Sequence, residues 1–99
     1  MRIIATGTLK AFWEQPAHSA AQTPMRAWLT IAKAATWRNQ VEVKAMFNSA
    51  DLLVDGRVVF DIGGNKWRIV AKLNYGHQVL YVRFVGTHSQ YDKIDAKVV

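Results

Sequence analysis

The sequence predicts an α+β fold in which helices come first and a small, antiparallel-rich twisted sheet follows. Two observations carry this. The composition shifts near Asn48 from Ala-rich, helix-favouring sequence to Val- and Gly-rich, strand-favouring sequence, and the apolar period changes from about 3.6 to 2 at the same place. A chain of 99 residues has room for one core, so residues 1–99 are read as a single domain.

Taken in order, Arg2-Ile3-Ile4-Ala5 can form a short leading strand. Thr8 can cap a helix whose Leu9, Phe12 and Trp13 fall at i, i+3 and i+4 before Pro16 stops it. Thr23-Pro24 marks a second start, a capping hydroxyl followed by proline where its missing N–H costs nothing. Met25, Trp28, Leu29, Ala32 and Ala35 then make one apolar stripe. Asn39 with Glu42 three residues on signals a third helix through Val43, Met46 and Phe47. From Leu52 the alternation is that of strands: Leu52–Val54, Val58–Ile62, Lys66–Asn74 and Val79–Gly86. Asp55-Gly56, Gly63-Gly64-Asn65 and Asn74-Tyr75-Gly76-His77 are the turns between them. Short turns make the last three strands an antiparallel meander, with the N-terminal helices packed on one face. Trp28 and Trp67 belong to that core; Trp13 and Trp37, near helix ends, are core or partner contacts.

The composition excludes several classes of function. Half the residues are apolar and 11% are aromatic, which argues against disorder. The absence of cysteine excludes disulfides, thiol nucleophiles and Cys-based metal or cluster sites, and makes the cytoplasm the expected compartment. The apolar runs are cut by Arg68, Lys72 and Arg83, so no membrane partner is expected, and the first residues are too short in apolar character for an export signal. His18, His77 and His88 show no repeated spacing, so neither a metal nor a cofactor is expected.

Thirteen Lys and Arg against seven Asp and Glu give a formal charge of +6, which suits a polyanion and nucleic acid above all. Between Gly63 and Tyr91 stand Lys66, Arg68, Lys72 and Arg83 and no acid. Alternation places Arg68 and Lys72 on the face away from Trp67, Ile69, Ala71 and Leu73. It also puts Val79, Tyr81, Arg83 and Val85 opposite Leu80, Val82 and Phe84, so that Arg83 joins Arg68 and Lys72 on a positive face. Thr87-His88-Ser89-Gln90 then fits a capping box that starts a helix directly after the basic strand. On that helix His88, Tyr91 and Asp92 share one side.

An imidazole, a phenol and guanidiniums beside a polyanion fit cleavage of RNA by its own 2′-hydroxyl. That reaction requires the hydroxyl deprotonated, the pentavalent phosphate stabilised and the leaving 5′-oxygen protonated, and it requires no metal. Arg68, Arg83 and Lys72 suit the charge, His88 suits proton transfer, and Tyr91 suits proton transfer or base stacking. The same basic surface would also serve a non-catalytic RNA- or ribosome-binding inhibitor of translation.

Val59–Val70, with its strand–Gly63-Gly64-Asn65–x–x–Arg68 motif, together with Tyr81–Lys93, with its Thr87-His88-x-x-Tyr91-Asp92 motif, resembles the HigB family of toxins in the RelE/ParE superfamily. The resemblance is carried by the C-terminal half. It implies a RelE-like sheet with helices on one side and an mRNA interferase that cleaves messenger RNA on the translating ribosome. It also implies a HigA-like helix-turn-helix antitoxin as partner. Carried over by position, it gives Arg68, Arg83, His88 and Tyr91 as catalytic residues and Lys66, Lys72 and Lys93 as RNA contacts. ParE-like toxins share the superfamily, which leaves poisoning of DNA gyrase as the remaining alternative.

Overall fold

The computed structural model describes all 99 residues. The helices are α1 (Thr6–Trp13), α2 (Gln22–Ala34), α3 (Gln40–Met46) and a last short α4 (His88–Tyr91). The strands are β1 (Arg2–Ile4), β2 (Asp51–Leu52), β3 (Arg57–Ile62), β4 (Trp67–Asn74) and β5 (Val79–Thr87). They form one sheet in the order β1-β5-β4-β3-β2, antiparallel except where β1 runs parallel to β5. The fold is α+β, as the sequence predicts. No helix is long and apolar enough to cross a membrane.

Local hydrogen bonding explains the helix starts that the sequence marks well. Asn39 accepts from the Glu42 N–H at 3.1 Å. Thr87 accepts from the Gln90 N–H at 3.1 Å, while the Gln90 side chain accepts from the Thr87 N–H at 2.9 Å, a complete capping box. Two starts differ from expectation. α1 begins at Thr6, with Ala5 extended before it, so Thr8 lies inside the helix. Pro16 opens a 3-10 segment, Pro16–Ala21, that runs straight into α2; Thr23-Pro24 therefore falls in the first turn of a helix already begun, where proline is equally harmless. The opposite end of α2 is met by the Met1 ammonium, which donates to the carbonyls of Ala32 and Lys33 at 3.0 and 3.1 Å, as favours a cation at a helix C-terminus.

Leu9, Phe12, Met25, Trp28, Ala32, Trp37 and Val43 from the helical half pack on Val58, Phe60, Ile62, Trp67, Ile69, Ala71, Leu73 and Leu80 from the sheet. All four tryptophans are core residues. The opposite face of the sheet carries a second, smaller cluster. Val59 and Val70 are fully buried there with Ala96, flanked by Leu53, Phe84, Tyr91, Ile94 and Val99. The segment after α4 therefore lies across the face that alternation leaves open. Arg57, itself 6% exposed, holds it down by donating to the main-chain oxygens of Ala96 at 3.2 Å and Val99 at 2.6 Å.

The turn from β3 to β4 needs three left-handed residues in succession, Gly63, Gly64 and Asn65. Gly63 has a second constraint, because a Cβ there would stand 2.5 Å from the Trp67 ring. Gly63→Ala is expected to cost about 2 kcal/mol from strain and displacement of that indole. Urea unfolding followed by tryptophan fluorescence measures it; an unchanged midpoint would show that the turn relaxes.

Candidate active site

Pairing across the sheet builds the site. The hairpin aligns Ile62 with Trp67, hence Asp61 with Arg68, and Arg68 with Gly86 on the next strand. Arg68 is only 7% exposed. Its Nε is 2.9 Å from the Asp61 carboxylate and its Nη1 donates to the Asn65 carbonyl at 3.1 Å. Over it lies the Tyr91 ring, with the guanidinium 5.6 Å from the ring centroid. The expectation of an acid-free positive face is corrected here: the acid nearest Arg68 lies just upstream of the basic stretch and reaches it through strand register.

α4 supplies the remaining groups. Its first N–H, that of His88, donates to the Lys66 carbonyl at 3.1 Å, which ties the helix to the turn leading into β4. His88 Nδ1 lies 3.1 Å from the Asp92 carboxylate. A proton on Nδ1 shared with Asp92 leaves Nε2 with a free lone pair, the form in which an imidazole accepts a proton. Tyr91 thus covers Arg68, and His88 starts the same short helix, with Asp61 and Asp92 orienting Arg68 and His88; Lys66 offers only its carbonyl here, its ammonium lying 5.9 Å from the Trp67 ring centroid.

Tyr91 titrates above the ordinary tyrosine range, chiefly because burial disfavours the phenolate; the Asp51 charge adds to this and the Arg68 charge opposes it. Burial pushes Tyr75 up as well. A phenol whose folded value lies above the unfolded one contributes stability that is complete below about pH 10 and is lost as the pH rises through the folded value. The difference in thermal midpoint between wild type and Tyr91→Phe is therefore expected to be constant from pH 6 to 9 and to change above pH 10. A change already between pH 7 and 9 would show an ionised phenol near neutrality.

The other residues singled out in the sequence lie elsewhere. Lys72 is four positions further along β4, roughly 13 Å by strand rise, and pairs with Asp55 at 3.1 Å. It lines a separate cleft with Tyr75 and Tyr81. Lys93, which follows α4, lines a groove with Phe84 and Gln90.

Arg83 departs from the expected alternation. Val70 pairs with Phe84 and Ala71 with Val82, so Arg83 is an additional residue in β5 with no partner on β4. The bulge reverses the faces beyond it. Val85 packs on the helical core and Phe84 on the opposite cluster, the reverse of strict alternation. Arg83 is exposed and makes no hydrogen bond or ion pair within the chain. The Arg68 guanidinium is positioned by its surroundings, whereas that of Arg83 is free to meet an anion.

Sequence reasoning missed Asp61 and Arg57. The hairpin register could have found the first; no local signal marks the second.

Comparison with known proteins adds to this geometry. The HigB toxin family, described as the RelE-like toxic component of a toxin–antitoxin system, matches residues 21–94. The chain is 40% identical over 65 residues to the mRNA interferase toxin HigB of Escherichia coli K12, and equally so to an mRNA interferase HigB of Shigella flexneri. In each case the aligned stretch covers 64% of this chain and spans 62% of the relative's length. An mRNA interferase HigB of Escherichia coli O6:H1 is 36% identical over 36 residues, about a third of either chain.

Proposed function

The chain belongs to the HigB toxin family, and from that premise we propose that it is the toxin of a type II toxin–antitoxin module, an endoribonuclease that cleaves messenger RNA on translating ribosomes. The whole of residues 1–99 acts as one toxin domain in the cytoplasm, held inactive by a HigA-like helix-turn-helix antitoxin. The observation that carries this reading is the Asp61-held Arg68 beneath the Tyr91 ring, with the Asp92-paired His88 at the start of the same short helix as Tyr91.

In the reaction, His88 Nε2 takes the proton of the ribose 2′-hydroxyl, whose oxygen attacks the adjacent phosphorus. The P–O5′ bond breaks with its electron pair, leaving a 2′,3′-cyclic phosphate on one fragment and a 5′-hydroxyl on the other. Arg68 and Arg83 stabilise the charge that accumulates on the phosphoryl oxygens. Tyr91, kept neutral by burial, retains an O–H to donate to the leaving oxygen. Lys66, Lys72 and Lys93 hold the flanking phosphates, and their contribution weakens with salt.

His88→Gln keeps the size and polarity of an exposed side chain but cannot exchange a proton. It is expected to lower cleavage by at least a factor of about 100 with an unchanged thermal midpoint. The measurement is primer extension on a message in a translating extract. Wild type should create new 5′ ends and His88→Gln should not. Arrested translation over an intact message would instead mean a blocking toxin, and inhibited supercoiling in a purified gyrase assay a gyrase poison.

A further inference from the structure

β1 pairs with β5 only over Val79–Tyr81, so beyond Tyr81 that edge of β5 carries no strand. α1 packs near it, and between them lies a groove of about 380 Å³, lined by Phe12, His18, Phe84, Gln90 and Lys93 among others. That volume falls in the range of small-ligand clefts, about 300–1,000 Å³. None of these residues except Lys93 belongs to the corner site as read from the sequence. The groove is nevertheless continuous with it in the chain, because Gln90 and Lys93 flank Tyr91 and Asp92.

Its composition is specific. The His18 imidazole stacks on Phe12 with ring centroids 4.2 Å apart and planes 9° from parallel. His18 Nδ1 is buried without a hydrogen-bond partner. Gln90 has its carbonyl oxygen committed to the Thr87 N–H, while its amide NH₂ makes no hydrogen bond within the chain and remains a donor. Gly86 makes room for this arrangement: a Cβ there would stand 2.6 Å from the Phe84 ring and 2.8 Å from the Gln90 oxygen. Lys93 is exposed and without an acidic partner. Flat apolar rings, one amide donor and one ammonium match a nucleobase with its phosphate.

We propose that this groove is a nucleotide subsite, in which one unpaired base of the RNA lies against the His18–Phe12 pair and Phe84 with its phosphate at Lys93. The subsite rests on the reading of the chain as an RNA-cleaving toxin and deepens it: His18 and Gln90 become positioning residues that select the base beside the cleaved bond.

The test uses the full chain carrying His88→Gln, so that RNA is bound and not cut, with short single-stranded RNA followed by fluorescence anisotropy. Adding His18→Ala is expected to weaken binding about tenfold, in keeping with the loss of one stacked base. Adding His18→Phe, which preserves a flat ring, should retain most of the affinity. In a series of oligonucleotides each lacking one base, a single position should erase the difference that His18→Ala makes. Equal binding with and without His18→Ala overturns the subsite, as does a loss that no abasic position erases, which would mean a fold or backbone effect; a lowered thermal midpoint would identify the former. Cleavage and binding fail separately: wild type that leaves messages intact while the His18 effect persists refutes the nuclease and keeps the subsite. Normal cleavage with no His18 effect does the reverse.

Discussion

Arg68→Ala is expected to lose at least two orders of magnitude in RNA cleavage and about 2–3 kcal/mol of stability. The stability loss follows from burial. Arg68 and Asp61 are 9% and 22% exposed in their side chains and stand 2.9 Å apart. Removing the cation strands a largely covered carboxylate, and breaking such pairs typically costs about 3–5 kcal/mol when both partners are fully enclosed; the partial exposure of Asp61 lowers the figure. The activity loss follows from the chemistry, since one preorganised donor at a developing anion is worth about 10²–10³ in rate. The two effects separate in the double variant Arg68→Met with Asp61→Leu, where neither charge is left alone. Urea unfolding should place its stability near wild type while primer extension still finds no cleavage. Wild-type cleavage by the double variant would make Arg68 a purely structural residue.

Arg57→Leu is expected to free the segment after α4 and to cost about 2–3 kcal/mol. The Arg57 guanidinium binds two main-chain oxygens some forty residues away in sequence. Leucine would leave those oxygens to find water, with Val59 and Val70 uncovered as the segment lifts. Amide exchange is the direct measurement: residues 91–99 should exchange faster in the variant, and the helical half should not change. Because Tyr91 belongs to the same cluster, cleavage should fall too, although Arg57 makes no hydrogen bond or ion pair with Arg68, Arg83, His88 or Tyr91. Unchanged exchange at 91–99 would show that apolar contacts alone hold the segment.

What was legible in the sequence is what short windows encode. Asn39 with Glu42 and Thr87 with Gln90 are bonds across three residues; the second is a complete capping box as read, whereas in the first Asn39 caps Glu42 but the Glu42 carboxylate accepts from the Arg38 N–H instead of closing the box. The alternation of β3 and β4 is likewise a local pattern, and it sorts Trp67, Ile69, Ala71 and Leu73 correctly into the core. The corner itself is half legible: residue type and spacing point to His88, Tyr91 and Arg68, whereas Asp61 reaches Arg68 only across the hairpin. Beyond that lay features decided by distant packing. The parallel seat of β1 beside β5, the cover over the second face and the Arg57 anchor all join residues far apart in sequence. His18 falls in a stretch whose only local mark is Pro16, and it becomes meaningful when Phe84, Gln90 and Lys93 arrive from the far end of the chain.

The bulge in β5 has a counterintuitive corollary. With Arg83 deleted, Val82 would adjoin Phe84, and both would keep their present partners, Ala71 and Val70, in an uninterrupted ladder. A version of this protein one residue shorter at that point would hold the same inward-facing set and lose only a guanidinium. Position 83 is therefore spare to the architecture: the identity of its side chain can be exchanged for the sake of a ligand without asking anything of the rest of the molecule.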